Sequence, residues 1–328
     1  MASSPFLLSE GAGRGYNGGN ERQEEPMEHI FIINPKAGKG RGPAYVPEIR
    51  EYFRERGEEP IIRFTESPGH GEQLAREYRH LGKDARIYAV GGDGTLNEVL
   101  NGLGTWEGAL GVLPAGSGND FFRMLEEAPG EGLLSRTIEG EAAPMDLGQA
   151  GERYFLNVAS AGLDAAIVEN ARRFKTLPLL GGMAAYILGI FYTVFRYASI
   201  PSTLSFRNLE GEEVKLEGKV LLAAAANGRC YGGGMKIAPE ARTDSGFLEV
   251  YRIAEASPLR ILFLFPRLIQ GNHESLPEVF HDRSGAFTLE SPLDFPVNAD
   301  GEVFRASRIT FRLLPSGVRI IRPRAPQV

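Results

Sequence analysis

Gly91-Gly92-Asp93-Gly94-Thr95 follows a short apolar run and precedes a helical pattern. Three glycines let a backbone approach a polyphosphate and turn several N–H groups toward it. The helix that begins near Thr95 adds the positive end of its dipole. Thr95 has two candidate uses, capping that helix or binding a phosphate oxygen. Asp93 suits an anion site if it holds a divalent cation, because Mg2+ prefers carboxylate and phosphate oxygens. The plainer reading is a glycine turn with Asp93 as its N-cap. Upstream, Asn34-Pro35-Lys36-Ala37-Gly38-Lys39-Gly40 places two lysines and two glycines in another turn after a strand. It lacks the Walker A spacing, and alone it fits a nucleotide loop or an exposed basic turn equally well. A third stretch, Pro114-Ala115-Gly116-Ser117-Gly118-Asn119-Asp120, offers Ser117, Asn119 and Asp120 to orient a substrate or to cap the next helix. Far downstream, Asn298-Ala299-Asp300-Gly301-Glu302 has the pattern of a hairpin turn. Phosphoryl transfer nevertheless needs a carboxylate near the attacking hydroxyl. The histidines are scattered, and no Cys/His metal-ligand spacing occurs.

These stretches need a frame that brings them together. Apolar runs at Ile30–Ile33, Ile61–Phe64, Ile87–Val90 and Leu110–Leu113 alternate with helical patterns at Pro43–Arg56, Gly71–Leu81 and Thr95–Leu103. Such alternation implies a parallel sheet with helices on both faces, and ligands at the carboxyl ends of its strands. The glycine-rich turns fall at those ends. After about Asp146 the pattern changes. Strands are expected at Arg153–Ser160, Thr203–Phe206, Val214–Ala224, Phe247–Ile253, Gly285–Leu289 and Arg308–Leu313, with hairpin turns at Gly151-Glu152 and Glu210-Gly211. Two helices, Leu177–Tyr197 and Leu259–Ile269, interrupt this antiparallel second domain. The last strand, Val318–Arg322, is a candidate to return to the first domain. The expected organisation is a disordered tail at 1–27, an α/β domain at 28–145 with 316–328 as a candidate addition, and a β-rich domain at 146–315.

The totals agree. A chain of 328 residues exceeds one ordinary core. With 42% hydrophobic and 24% charged residues it is a folded protein rather than a disordered one. A net charge of −6 argues against nucleic acid as a partner. The single cysteine, Cys230, excludes an intrachain disulfide and suits a reducing, cytoplasmic setting. The Gly/Ser/Glu-rich start lacks the features of a signal peptide. Leu177–Ser199 carries no charge before Arg196. It reads as a helix packed on the second domain, its rivals being a membrane-touching helix and a membrane span.

Taken together, the chain resembles the catalytic domain shared by diacylglycerol, sphingosine and ceramide kinases, above all the single-chain bacterial lipid kinases. The resemblance runs from Glu28 to the end. It rests on Ile-Asn-Pro-Lys-Ala-Gly at 33–38, Gly-Gly-Asp-Gly-Thr-Leu-Asn-Glu-Val at 91–99 and Leu-Pro-Ala-Gly-Ser-Gly-Asn-Asp-Phe at 113–121. Met-Asp-Leu-Gly at 145–148, Phe-Leu-Asn-Val-Ala-Ser-Ala-Gly at 155–162, Tyr-Gly-Gly-Gly-Met at 231–235 and Asp-Gly-Glu at 300–302 continue it. It implies an α/β nucleotide-binding domain of the phosphofructokinase and NAD-kinase type, followed by an antiparallel β-sandwich. It further implies ATP at Gly91, Gly92, Asp93, Gly94 and Thr95, with Asn34, Gly38, Thr65 and Ser117 nearby. Asp300 matches the general base, and Glu302 the neighbouring nucleotide or metal contact. Asp93, Asp120 and Asp146 match an acidic network that positions Mg2+. Lys39 and Lys175 match basic positions for phosphate or headgroup. In many bacterial members an Asp-Asp-Gly stretch supplies a ligand to a structural Mg2+, but here Thr243-Asp244-Ser245-Gly246 puts Ser245 at that place. The implied substrate is a lipid hydroxyl: diacylglycerol first, then phosphatidylglycerol, sphingosine or another lipid alcohol. Transient contact with the inner membrane surface follows from such a substrate, and exposed strand edges leave room for a homodimer. The alternatives are an NAD-kinase-like enzyme and a non-catalytic lipid-binding protein of the same fold.

Overall fold

The apolar runs of the first half become strands covered on both sides. In the computed structural model, which describes residues 27–125, 130–174 and 182–326, Ile30, Phe31, Ile32 and Ile33 are all fully buried. They lie in β1 (Glu28–Ile33), which pairs in parallel with β2 (Ile61–Phe64) and β3 (Ala85–Gly91); β3 in turn pairs in parallel with β4 (Ala109–Pro114). Helices α1 (Tyr45–Arg54), α2 (His70–Tyr78) and α3 (Asp93–Leu103) connect them. Each is apolar on one stripe only: α1 buries Ile49 and Phe53, one turn apart. Pro43 starts a short 3-10 turn, Gly42–Ala44, that delays α1 to Tyr45. Most of the expected tail and Lys175 lie outside the described residues.

The short α4 (Phe122–Leu125) and α5 (Leu133–Ile138) lead to a run of antiparallel strands. These are β5 (Glu141–Ala150), β6 (Arg153–Phe155), β7 (Val158–Gly162), β8 (Ile200–Arg207), β9 (Glu213–Ala226), β10 (Leu248–Ala254), β11 (Val279–Ser284), β12 (Ala286–Ala299) and β13 (Glu302–Arg322). Helices α6 (Leu163–Phe174), α7 (Gly182–Arg196) and α8 (Pro258–Gln270) complete the chain. The turns at Gly151-Glu152 and Glu210-Gly211 join β5 to β6 and β8 to β9. On β9 the period of two sends Ala223 and Ala225 into one core and Leu222, Ala224 and Ala226 into another, under α6 and α8.

Three expectations change. The run Arg153–Ser160 is not one strand, because the N–H groups of Leu156, Asn157 and Val158 leave the ladder for the carboxylate of Asp300. The runs Arg308–Leu313 and Val318–Arg322 belong to a single strand, β13. Its pairing with β5 shifts register between Leu314 and Val318, where Pro315 has no N–H to give. Through Ile320, opposite Leu110, β13 also pairs in parallel with β4, so one strand crosses from the antiparallel sheet into the parallel one. Finally, α7 is 15 residues long, and among the described residues no helix is long and apolar enough to cross a membrane. It packs on α6 where Gly189 meets Ala171: a Cβ at Gly189 would lie 3.1 Å from the Ala171 Cα.

Candidate functional site

Because β1, β3 and β4 are parallel, the loops that follow them share one edge of the sheet. Their glycines are set by one another. A Cβ on Gly38 would lie 1.9 Å from the Ala115 carbonyl oxygen, and one on Gly116 would lie 2.4 Å from the Gly92 Cα. Gly118 has the Asp93 carboxylate 2.8 Å from where its Cβ would stand. The loops thus touch backbone to backbone, a packing demand beyond any approach to phosphate. Gly94 differs: an added Cβ meets nothing within 4 Å, and the residue lines a cavity.

Side chains then tie the loops. Asn34 Nδ2 donates to Thr95 Oγ1 at 3.0 Å, and Asn34 Oδ1 accepts from the Lys36 N–H at 2.9 Å. Arg41, which the sequence did not single out, donates through Nη2 to the Gly116 carbonyl and bridges the first and third loops. Thr65, at the end of β2, is buried and its N–H donates to the Ile33 carbonyl at 2.9 Å. Lys39 and Ser117 are exposed at the loop edge. Helix α3 begins at Asp93, with Gly92 as its N-cap and no side-chain cap, so neither Asp93 nor Thr95 caps it. The amides of its first turn have no carbonyl partner within the helix, and they sit where the dipole favours an anion.

Acids line the same cavity, whose volume is about 330 Å³. Asp93, Asp120, Asp300 and Glu302 all line it. Asp93 accepts from the Phe121 N–H at 3.3 Å. Burial pushes its carboxyl up from the ordinary value, and the Asp120 charge adds to this. Asp120 accepts from the Gly233 N–H at 2.7 Å and lies 3.4 Å from the Arg123 guanidinium. Asp300 occupies the turn between β12 and β13 with φ 46, a left-handed conformation that Asp tolerates. Its carboxylate accepts from the N–H groups of Leu156, Asn157 and Val158 at 2.6 to 3.2 Å. Burial nevertheless pushes its pKa up to about 6; the amide bonds oppose that shift and Asp93 adds to it. Asn97 of α3 reaches the Ala299 carbonyl at 3.4 Å and so ties α3 to the Asp300 turn.

Asp146 is elsewhere. It does not line the cavity, and its two oxygens accept from the Ser316 N–H at 2.9 Å and the Gly246 N–H at 2.7 Å. It closes the irregularity in β13. Ser245 Oγ donates to the Phe247 carbonyl, while Asp244 pairs with Arg242 on the surface. Asp244 therefore does not substitute for the missing carboxylate. Among the described residues no three His, Cys, Asp or Glu side chains form a metal cage. Mg2+ needs only one or two carboxylates beside phosphate and water. The neighbours Asp93, half-buried, and Asp120, buried, whose charges repel, fit that requirement.

Known proteins resemble the chain along most of its length. Residues 28–150 match the diacylglycerol kinase catalytic domain, and residues 157–322 match the YegS C-terminal NAD kinase beta sandwich-like domain. The chain is 34% identical over 321 residues to a probable lipid kinase, YegS-like, of Chromohalobacter salexigens, covering 91% of this chain and 96% of that one. It is 30% identical over 277 residues to a diacylglycerol kinase of Staphylococcus aureus strain MRSA252, covering 83% and 85%. A crystal structure of a diacylglycerol kinase from Bacillus anthracis strain Sterne superposes with a TM-score of 0.61 at 19% identity, over 91% of this chain and 97% of that one. At that identity the likeness concerns the fold.

Proposed function

The chain belongs to the diacylglycerol kinase catalytic-domain family, and on that premise we propose that it is a lipid kinase transferring the γ-phosphoryl group of ATP to a lipid hydroxyl. One observation carries the reading. The cavity lined by Asp93, Asp120 and Asp300 is lined as well by the apolar side chains of Leu163, Ile167, Leu222, Ile261 and Leu264. A lipid can bury its chain there while its alcohol reaches the acids. An NAD-kinase-like substrate, polar along its whole length, suits those walls poorly.

In this mechanism the first-turn amides of α3 and the open space at Gly94 hold phosphate oxygens. Asn34 fixes Thr95, and Arg41 fixes the third loop, so the cradle is rigid before the nucleotide arrives. Thr65, Ser117 and Lys39 stand around the same loops as nucleotide contacts. Three amides bond to the Asp300 carboxylate, that of Asn157 to both oxygens. This carboxylate takes the proton of the lipid hydroxyl as the hydroxyl oxygen bonds to the γ-phosphorus and the bond to the ADP oxygen breaks. Asp93 and Asp120 would hold Mg2+, which would supply positive charge to the phosphoryl oxygens. Diacylglycerol is the reference lipid. Purified protein with labelled ATP, Mg2+ and dioleoylglycerol micelles should yield labelled phosphatidate, and EDTA should abolish transfer. ATP-independent lipid binding with no transfer to any lipid alcohol would leave the non-catalytic reading standing.

The lipid must also leave a bilayer. Phe191 and Phe195 of α7 and Leu259 and Phe263 of α8 are exposed, with Arg196 over Tyr192 and Arg267 over Phe263. Aromatic and aliphatic side chains among arginines suit an anionic membrane surface. Opposite them, α8 turns Ile261, Leu264 and Leu268 into the cavity. The Phe195→Ser substitution should weaken binding to anionic vesicles by about tenfold. Unchanged co-sedimentation would remove this face from the account.

A further inference from the structure

The wall of the cavity is not uniform. Leu163 and Ile167 of α6, Leu222 of β9 and Ile261 and Leu264 of α8 are buried side chains of packed elements. The loop after β9 differs, and its Tyr231, Gly232, Gly233 and Met235 line the same cavity. Tyr231 and Met235 donate their N–H groups to each other's carbonyls at 3.1 and 3.0 Å, which closes a five-residue hairpin. Its tip, Gly232-Gly233-Gly234, has φ of 62, 90 and 104. Three such residues in a row are a conformation for glycine alone, and they bring no side chain to pack.

The base of the hairpin is pinned. Ile237 and Ala238, which follow it, are buried, and Tyr231 hydrogen-bonds to the buried Asp164. The tip is held differently. Gly232 and Gly233 are exposed, and a Cβ on Gly233 would meet nothing within 4 Å. The Gly233 N–H donates to Asp120 Oδ2 at 2.7 Å, while Arg123, beside Gly234, pairs with Asp120 Oδ1 at 3.4 Å. A segment with so little packing opens at low cost once its hydrogen bond weakens.

Asp120 is also one of the two acids that would hold Mg2+. A carboxylate that shares its charge with a cation accepts an N–H more weakly, and the cation repels the Arg123 guanidinium. The cavity, at about 330 Å³, is at the small end for an organic ligand. A two-chain lipid exceeds it, so part of the wall must give way. We propose that the 231–235 hairpin is a latch closed on Asp120, and that Mg-nucleotide releases it and so widens the cavity for the lipid. This deepens the lipid-kinase reading and rests on it. Nucleotide then raises the affinity for lipid, and lipid raises that for nucleotide by the same factor.

The test is hydrogen exchange, read by mass spectrometry on the full chain with the nonhydrolysable analogue AMP-PNP. Mg-AMP-PNP should speed exchange in a peptide spanning 230–236 about fivefold, the scale of trading a charged acceptor for a neutralised one. Peptides spanning 34–41 and 91–96 should slow at the same time, which reports bound nucleotide. Affinity for dioleoylphosphatidylcholine vesicles carrying dioleoylglycerol should rise about fivefold as well. Asp120→Asn keeps the shape and leaves a neutral acceptor. Without nucleotide, its hairpin should already exchange about fivefold faster than that of the wild type. The latch is overturned if the loop peptides slow while the hairpin stays unchanged or slows with them. That result leaves the kinase reading intact, and the wild type decides it even if the variant does not fold. A faster hairpin with unchanged vesicle affinity overturns the coupling to lipid. Failure of Mg-AMP-PNP to bind at all overturns both the latch and the kinase reading.

Discussion

Replacing Asp300 by Asn should lower kcat by about 10²–10⁴-fold, the usual contribution of a positioned general base, while ATP still binds. Three backbone amides hold the Asp300 carboxylate in place, and an Asn would turn an NH2 group toward at least one of them. Some loss of stability accompanies the loss of turnover, so a melting curve and a direct ATP titration belong beside the rate. Normal turnover in Asp300→Asn would end its assignment as base. The pH profile gives a second reading of the same group. With a pKa of about 6, Asp300 accepts a proton only when ionised, so kcat should fall as pH drops through about 6. Stability has the opposite sign. The folded state holds this proton more tightly than the unfolded chain, where an Asp titrates near 3.9. The protonated carboxyl thus contributes stability that is fully present below about pH 4 and is lost as pH rises through about 6. Activity and stability should therefore move in opposite directions across that window, for this one residue.

The second large effect is expected at Gly38. Its φ of 53 is left-handed, which costs a residue with a side chain about 1–2 kcal/mol. The greater obstacle is the Ala115 carbonyl, 1.9 Å from the new Cβ. Backbone must move, and what moves is the contact between the first and third loops. Gly38→Ala should lower the melting temperature by several degrees and raise KM for ATP by about tenfold or more, a shift that corresponds to about 1.4 kcal/mol. Gly57 is the control: its φ is 69, and an added Cβ meets nothing within 4 Å. Gly57→Ala should incur the backbone penalty without disturbing nucleotide affinity. If both variants keep wild-type KM for ATP, the loop contact has no part in nucleotide binding.

The glycine loops were legible because their residues are adjacent in the chain, and because strand-to-helix alternation already says which edge they share. Asp300 was harder. Its surroundings come from the amides of Leu156, Asn157 and Val158, more than 140 positions away, and an amide leaves no mark in residue type. Only the resemblance singled it out from a hairpin turn. Asp146 shows the same in reverse: it looks like the other acids in chemistry, but the amides of Gly246 and Ser316 claim it and it does not line the cavity. Among the strands, β5 was hidden by Pro144, and β11 by the polar run His281-Asp282-Arg283.

The crossing of β13 from one sheet to the other bears on how this protein can be dissected. Strand β4 is buried along its whole length, and β13 lies on one side of it. A fragment ending near residue 145 would lose that neighbour and present an apolar strand edge to solvent, a template for pairing with other copies. Such a fragment should aggregate, and its failure to bind nucleotide would say nothing about the loops it carries.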